Sequence, residues 1–174
     1  MNVLGVAGWS GSGKTSLIIR LIPEFKRRGV AVSTVKHAHH RFDIDQPGKD
    51  SYRHREAGAH EVLVSSGQRW ALMHEVADDQ DWSLDTLLAR MAPVDLVLAE
   101  GFKFGAHRKI EVHRSDLGKP LLCDSNPGFV AAVGDRQPDA VTLPWFDRDD
   151  IVGLADFISE EIGLGGNSSN TTLR

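Results

Sequence analysis

Cysteine is almost missing from this chain: Cys123 stands alone. No disulfide can form within the chain, and this usage fits a reducing compartment. A small buried hydrophobe is the expected role for that one thiol. A basic excess is also missing. With 20 Lys and Arg against 24 Asp and Glu the formal charge is −4, so there is no global pull towards nucleic acid and any phosphate must be held locally. Long apolar runs are absent too. Met1-Asn2-Val3-Leu4-Gly5-Val6-Ala7 lacks the basic start of a signal peptide and is too short to span a bilayer. No membrane partner is expected, and the expected location is the cytoplasm. Asn167 and Asn170 each open an Asn-x-Ser/Thr triplet, a chance match in a chain that is not exported.

The remainder is globular in character. Hydrophobic residues make up 41% and charged residues 25%, a balance that supports a buried core rather than disorder. The length suits one domain, expected over residues 1–163, with a flexible tail over 164–174 rich in Gly, Ser, Asn and Thr.

Val3 to Ala7 predicts a buried strand ended by glycine. Apolar residues then recur at helical spacing from Ser16 to Arg28, with Gly29 suited to the C′ position and Pro23 expected to kink or divide the helix. Val30 to Val35 predicts a second strand. His37 to Gly48 is a loop, followed by a short helix capped by Asp50 and running through Ala57. Glu61 to Ser65 and Arg69 to His74 predict a hairpin around Ser66-Gly67-Gln68. A helix from Leu84 to Met91, strands at Val94 to Ala99, Lys109 to His113 and Phe129 to Val133, and a helix from Asp149 to Ile162 complete the pattern. The expected fold is α/β and P-loop NTPase-like: a mostly parallel sheet flanked by helices, with a β-hairpin excursion around residues 60–75.

Gly8-Trp9-Ser10-Gly11-Ser12-Gly13-Lys14-Thr15 matches G-x-x-x-x-G-K-[ST] in full, between a strand and a helix. A triphosphate needs many donors converging on one anion. Main-chain N–H groups supply them only where the loop turns without Cβ clashes, hence Gly8, Gly11 and Gly13. The following helix start favours negative charge, so Ser10, Ser12 and Ser16 join the expected phosphate contacts. Lys14 can reach the β- and γ-phosphates, and the Thr15 hydroxyl can ligate Mg²⁺. Trp9 receives no role from the pattern.

The second part of such a site is an acid at a strand end. Asp95 and Glu100 bracket one strand and lie roughly 16 Å apart. Ligands of open α/β sheets sit beyond the carboxyl ends, which selects Glu100 for magnesium. No Asn-Lys-x-Asp is present to read guanine. Asp135, beyond the strand Phe129 to Val133, is the candidate for the base; a surface turn aspartate is the alternative.

A longer series carries more identity than the phosphate loop alone. It comprises Lys36-His37-Ala38-His39-His40, Phe42-Asp43-Ile44-Asp45, Pro47-Gly48-Lys49-Asp50-Ser51, Arg55-Glu56-Ala57-Gly58-Ala59, Gln68-Arg69-Trp70-Ala71-Leu72-Met73, Glu100-Gly101-Phe102-Lys103 and Leu154-Ala155-Asp156-Phe157. This series resembles the MobB family of molybdopterin-guanine dinucleotide biosynthesis adapter proteins, from Val3 to about Ile162. The resemblance implies a P-loop α/β fold, GTP as ligand with Mg²⁺, weak hydrolysis and a homodimer. It also implies a supporting role in joining GMP to molybdopterin, the transfer itself belonging to a partner, the molybdenum cofactor guanylyltransferase.

Other residues extend the candidate site. Lys36 falls at the carboxyl end of the second strand and faces the phosphate rim; Lys49 can reach a substrate phosphate. Asp43 and Asp45 alternate on extended backbone and can hold a water on Mg²⁺, or are solvated loop acids. His37, His39 and His40 lack the layout of a closed zinc site; polar loop positions or contacts to a phosphorylated pterin fit them better. Lys103, Arg108 and Lys109 either widen the basic rim or form a solvated face. The competing functions are a P-loop small-molecule kinase, which needs a lid that the chain does not offer, and an interaction module with a vestigial site. If the chain is an enzyme at all, Lys14 and Glu100 carry a slow GTPase, since no water-positioning glutamine or arginine finger is visible.

Overall fold

The computed structural model describes residues 1–38, 42–76, 82–139 and 141–164. Two compact units divide it: Met1–His37 with Leu84–Arg174, and Ala38–Ser83.

The larger unit is built on a six-stranded sheet. Its strands are β1 (Asn2–Ala7), β2 (Val32–Lys36), β5 (Leu96–Glu100), β6 (Lys109–Val112), β7 (Phe129–Gly134) and β8 (Trp145–Asp147), in the order β2-β5-β1-β6-β7-β8. Every pairing is parallel. All carboxyl ends therefore share one rim, and strand order reverses around β1, the position where such sheets take their ligands. The apolar runs of β1 and β5 reflect burial on both faces. Helix α1 (Lys14–Arg27) turns Leu17, Ile18, Leu21 and Phe25 inward, and α4 (Ile151–Glu161) turns Leu154, Ala155 and Ile158 into the same core. Helix α3 (Leu84–Leu88) is shorter than its pattern suggests.

Several expectations need correction. Pro23 does not divide α1, which runs unbroken past it. Helix α4 starts after Asp150, whose carboxylate accepts from Gly153 N at 3.0 Å, a side-chain N-cap. Lys109 and Arg108 build no basic rim. The Lys109 side chain is fully buried in β6 and donates from Nζ to Gly105 O at 2.6 Å; Arg108 pairs with Glu161. Burial pulls the Lys109 pKa down. Glu111, also fully buried, accepts from the main-chain N–H groups of Leu122 and Cys123 at 2.9 Å. Charge-assisted bonds of this kind offset much of the desolvation of a carboxylate. Cys123 is half-buried, and burial, reinforced by Glu111, pushes its thiol up to about 12.

The smaller unit holds α2 (Asp50–Glu56) and an antiparallel hairpin of β3 (Glu61–Ser65) and β4 (Trp70–His74). The hairpin closes with Ser66 N donating to Arg69 O at 2.8 Å. Asp50 is not the cap of α2. It is the first helical residue, after Lys49 in extended backbone, where its charge still favours the helix start.

Candidate functional site

Three glycines shape the loop between β1 and α1. Gly8, Gly11 and Gly13 have φ of 153°, 79° and 101°, conformations that L side chains rarely adopt. Space excludes a larger residue at the first of them: a Cβ on Gly8 would lie 2.4 Å from Val112 O and 2.7 Å from Ser12 Oγ. Gly13 leads directly into α1, which presents its unpaired N–H groups to the loop.

Lys14 folds back over this bend. Its Nζ donates to Gly8 O at 3.0 Å and to Trp9 O at 2.9 Å. Burial lowers its pKa; Glu100 opposes that shift, while Lys36 and Lys103 add to it. The Ser12 hydroxyl is buried and, among the described residues, has no hydrogen-bond partner. An orphaned donor inside a glycine loop fits an anionic ligand, since a buried hydroxyl without a partner costs free energy.

Thr15 Oγ1 donates to Glu100 Oε1 at 2.7 Å, joining residues 85 apart in the chain. The same carboxylate oxygen lies 3.3 Å from Lys36 Nζ. Glu100 ends β5 beside β1 and β2, so the strand-end rule put it at the loop. Asp95 is at the other end of that strand, where Oδ2 accepts from Ala31 N at 2.8 Å. A hydroxyl and a carboxylate in contact are hard oxygen donors of the kind magnesium takes. The chain turns sharply after Glu100. Gly101 has φ 103°, and Phe102 has φ 23° without being glycine, a strained conformation of the sort found near functional sites.

Asp135 follows β7. Its carboxylate accepts from Ser115 N at 3.0 Å and Ser115 Oγ at 2.7 Å, and Arg148 lies 3.5 Å away. The Ser115 hydroxyl holds its pKa down at about 2. A cleft beside the loop is lined by Ser12, Ser16, Leu17, Arg114, Gly134 and Arg148.

In the smaller unit Asp43 and Asp45 gather on one guanidinium. Arg55 lies 2.8 Å from Asp43 Oδ2 and 3.4 Å from Asp45 Oδ2. Asp45 also accepts from Ser51 Oγ at 2.8 Å. Lys49 precedes α2. His37 packs its ring 5.3 Å from that of Phe102; His39 and His40 lie outside the described residues.

One feature carries no signal in the sequence. Trp9 Nε1 donates to Pro120 O at 2.7 Å, and the ammoniums of Lys103 and Lys119 lie 5.3 and 5.6 Å from its ring. These partners are remote in sequence, so no local pattern links them.

The parallel sheet, its reversal at β1 and the glycine loop entering α1 define a P-loop NTPase-like α/β protein. The chain belongs to the MobB family, molybdopterin guanine dinucleotide synthesis protein B, whose sequence pattern matches residues 3–135. It is 42% identical over 163 residues to the molybdopterin-guanine dinucleotide biosynthesis adapter protein of Escherichia coli (strain K12), covering 91% of each chain. The adapter protein of Haemophilus influenzae is 41% identical over 158 residues, covering 90% of this chain and 86% of the relative. A crystal structure of molybdopterin-guanine biosynthesis protein B superposes with a TM-score of 0.72 at 30% identity, over 91% of this chain and 99% of that one.

Proposed function

We propose that this chain is a GTP-binding adapter of molybdenum cofactor biosynthesis. It supports the attachment of GMP to molybdopterin by a guanylyltransferase partner and hydrolyses GTP slowly by itself. The observation that carries the nucleotide reading is the 2.7 Å contact of Thr15 with Glu100 at the mouth of the glycine loop.

The division of labour follows from the residues. The amides from Gly11 to Ser16 receive phosphate oxygens. Lys14 exchanges two main-chain carbonyls for phosphate. Thr15 and Glu100 are the residues that would hold Mg²⁺, which when bound offsets phosphate charge. Lys36, already beside Glu100, neutralises the same rim. Asp135 is the candidate for the guanine edge. Ser115 occupies one acceptor position on each of its oxygens and Arg148 lies 3.5 Å from Oδ1, so a two-point contact to guanine requires Arg148 to swing aside.

Titration with GTP and ATP, with and without Mg²⁺, tests the ligand: GTP is expected to bind more tightly than ATP, and more tightly with the metal than without it. Equal affinities would remove the guanine reading. Adding the chain to a guanylyltransferase with molybdopterin and GTP is expected to raise dinucleotide yield. Transfer of radiolabel from GTP to a small acceptor by the chain alone would instead make it a kinase.

The hairpin supports a homodimer. Leu63 faces Leu72, and Ser65 faces Trp70, on one side of the two strands. Leu63, Trp70 and Leu72 are 62%, 69% and 44% exposed. A two-stranded ribbon is marginal by itself, and a second copy would cover this face. A Trp70→Ser, Leu72→Ser variant is expected to sediment as a monomer where the parent sediments as a dimer. A monomeric parent at micromolar concentration removes the dimer. No helix of the described residues is long and apolar enough to cross a membrane, and the cytoplasm is the proposed location.

A further inference from the structure

Trp9 is the second residue of the phosphate loop, and its carbonyl already holds Lys14 Nζ. Its indole is fixed by the bond to Pro120 O. Two ammoniums gather on that ring although they repel each other. Lys103 Nζ is 5.3 Å from the Trp9 ring and 5.0 Å from the Phe104 ring, and Lys119 Nζ is 5.6 Å from Trp9. Among the described residues neither lysine has a carboxylate partner, whereas Lys36 is paired with Glu100. Phe104 is 86% exposed, the most exposed large hydrophobic of the described residues.

The segment carrying Lys103 and Phe104 is held in place. Asn126 Nδ2 donates to Lys103 O at 3.1 Å, and Asn126 Oδ1 accepts from Gly128 N at 2.9 Å. Lys109 Nζ holds Gly105 O from the buried side. Asn126 and Lys109 thus tie down the main chain on both sides of an exposed aromatic. Lys103 is close enough to depress the Lys14 pKa, so this patch adjoins the loop at the end where Lys14 sits.

Unpaired ammoniums call for an anion. The exposed ring of Phe104 beside the half-buried Trp9 calls for a flat partner, since stacking on an aromatic side chain contributes about 1–3 kcal/mol per base and tolerates many ring types. We infer that Trp9, Lys103, Phe104 and Lys119 form a second ligand site beside the phosphate loop, for a phosphate monoester carried on a planar ring. The inference rests on the nucleotide reading of the loop for the identity of the neighbouring ligand, and the two fail separately.

The probe is 4-methylumbelliferyl phosphate, titrated by calorimetry into the chain alone and into the chain saturated with Mg²⁺ and a non-hydrolysable GTP analogue. Binding is expected in both cases. The unphosphorylated parent, 4-methylumbelliferone, is expected to bind at least about tenfold more weakly, the scale of one lost charge-assisted hydrogen bond. Lys119→Ala and Phe104→Ala should each lower probe affinity by about tenfold. Lys14→Ala should lose the analogue and keep the probe, which separates the two sites. Binding only to the unloaded chain would mean that the terminal phosphate of the nucleotide fills the patch, and it overturns the second site. So would equal binding of the unphosphorylated parent, or loss of probe and analogue in step in Lys119→Ala. If the parent chain binds no analogue at all, the nucleotide reading falls, and the titration of the chain alone still decides the patch.

Discussion

Replacing Lys14 by alanine is expected to weaken Mg·GTP binding by about a hundredfold or more, the scale of losing charge-assisted hydrogen bonds from a partly buried ammonium. The ammonium rests on Gly8 O and Trp9 O. These are neutral acceptors of the loop itself, which phosphate oxygens would replace at little cost in geometry. Burial, the largest influence on the Lys14 pKa, disfavours its charge, as do Lys36 and Lys103. A bound polyphosphate would reverse that balance, and the lysine and the ligand would stabilise each other. The variant should remain folded, because Lys14 lies at the start of α1 and outside the buried cluster. Calorimetry reads the affinity and circular dichroism reads the fold. An unchanged affinity for GTP in a folded variant would mean that the loop does not grip phosphate.

Glu100→Gln is expected to reduce magnesium-dependent nucleotide binding by about tenfold to a hundredfold, with little change when the metal is chelated. The substitution keeps the shape and the acceptor for Thr15 Oγ1 but removes the charge that faces Lys36 and that would face a bound magnesium ion. Asp95→Asn is the control at the opposite end of β5. Its oxygen can still accept from Ala31 N, so affinity should not move. If both variants lose the same amount, Glu100 is not part of the metal site and the loss reflects damage to the strand.

The glycine loop was legible because its residues are contiguous. Eight neighbouring residues set the turns, the helix start and the cation together. A rule about strand ends puts Glu100 on the rim beside the loop, and in the structure it accepts from Thr15. The patch around Trp9 was not, since its partners at Lys103, Lys119 and Pro120 come from loops after other strands. Lys109 was misread for a related reason. A lysine next to an arginine suggests a wet face, yet here it lies in a strand between β1 and β7 with both sides covered. Strand β8 was missed altogether: three residues after Pro144 are too few to set a period. Asp43 and Asp45 share a partner, as their alternation suggests, but that partner is Arg55, which spacing alone does not reveal.

The position of β1 has a consequence for how the chain is made. Its two neighbours, β5 and β6, begin at Leu96 and Lys109. A ribosome therefore has to deliver the whole stretch from Ala7 to Leu96 before β1 has a neighbour to pair with. Until then Gly8 lacks the Val112 carbonyl that crowds it and Thr15 lacks its carboxylate. Distant pairings of this kind slow folding, because a long stretch must be ordered before any contact compensates. The glycine loop is thus shaped only once Glu100 and Val112 have been made, long after its own residues.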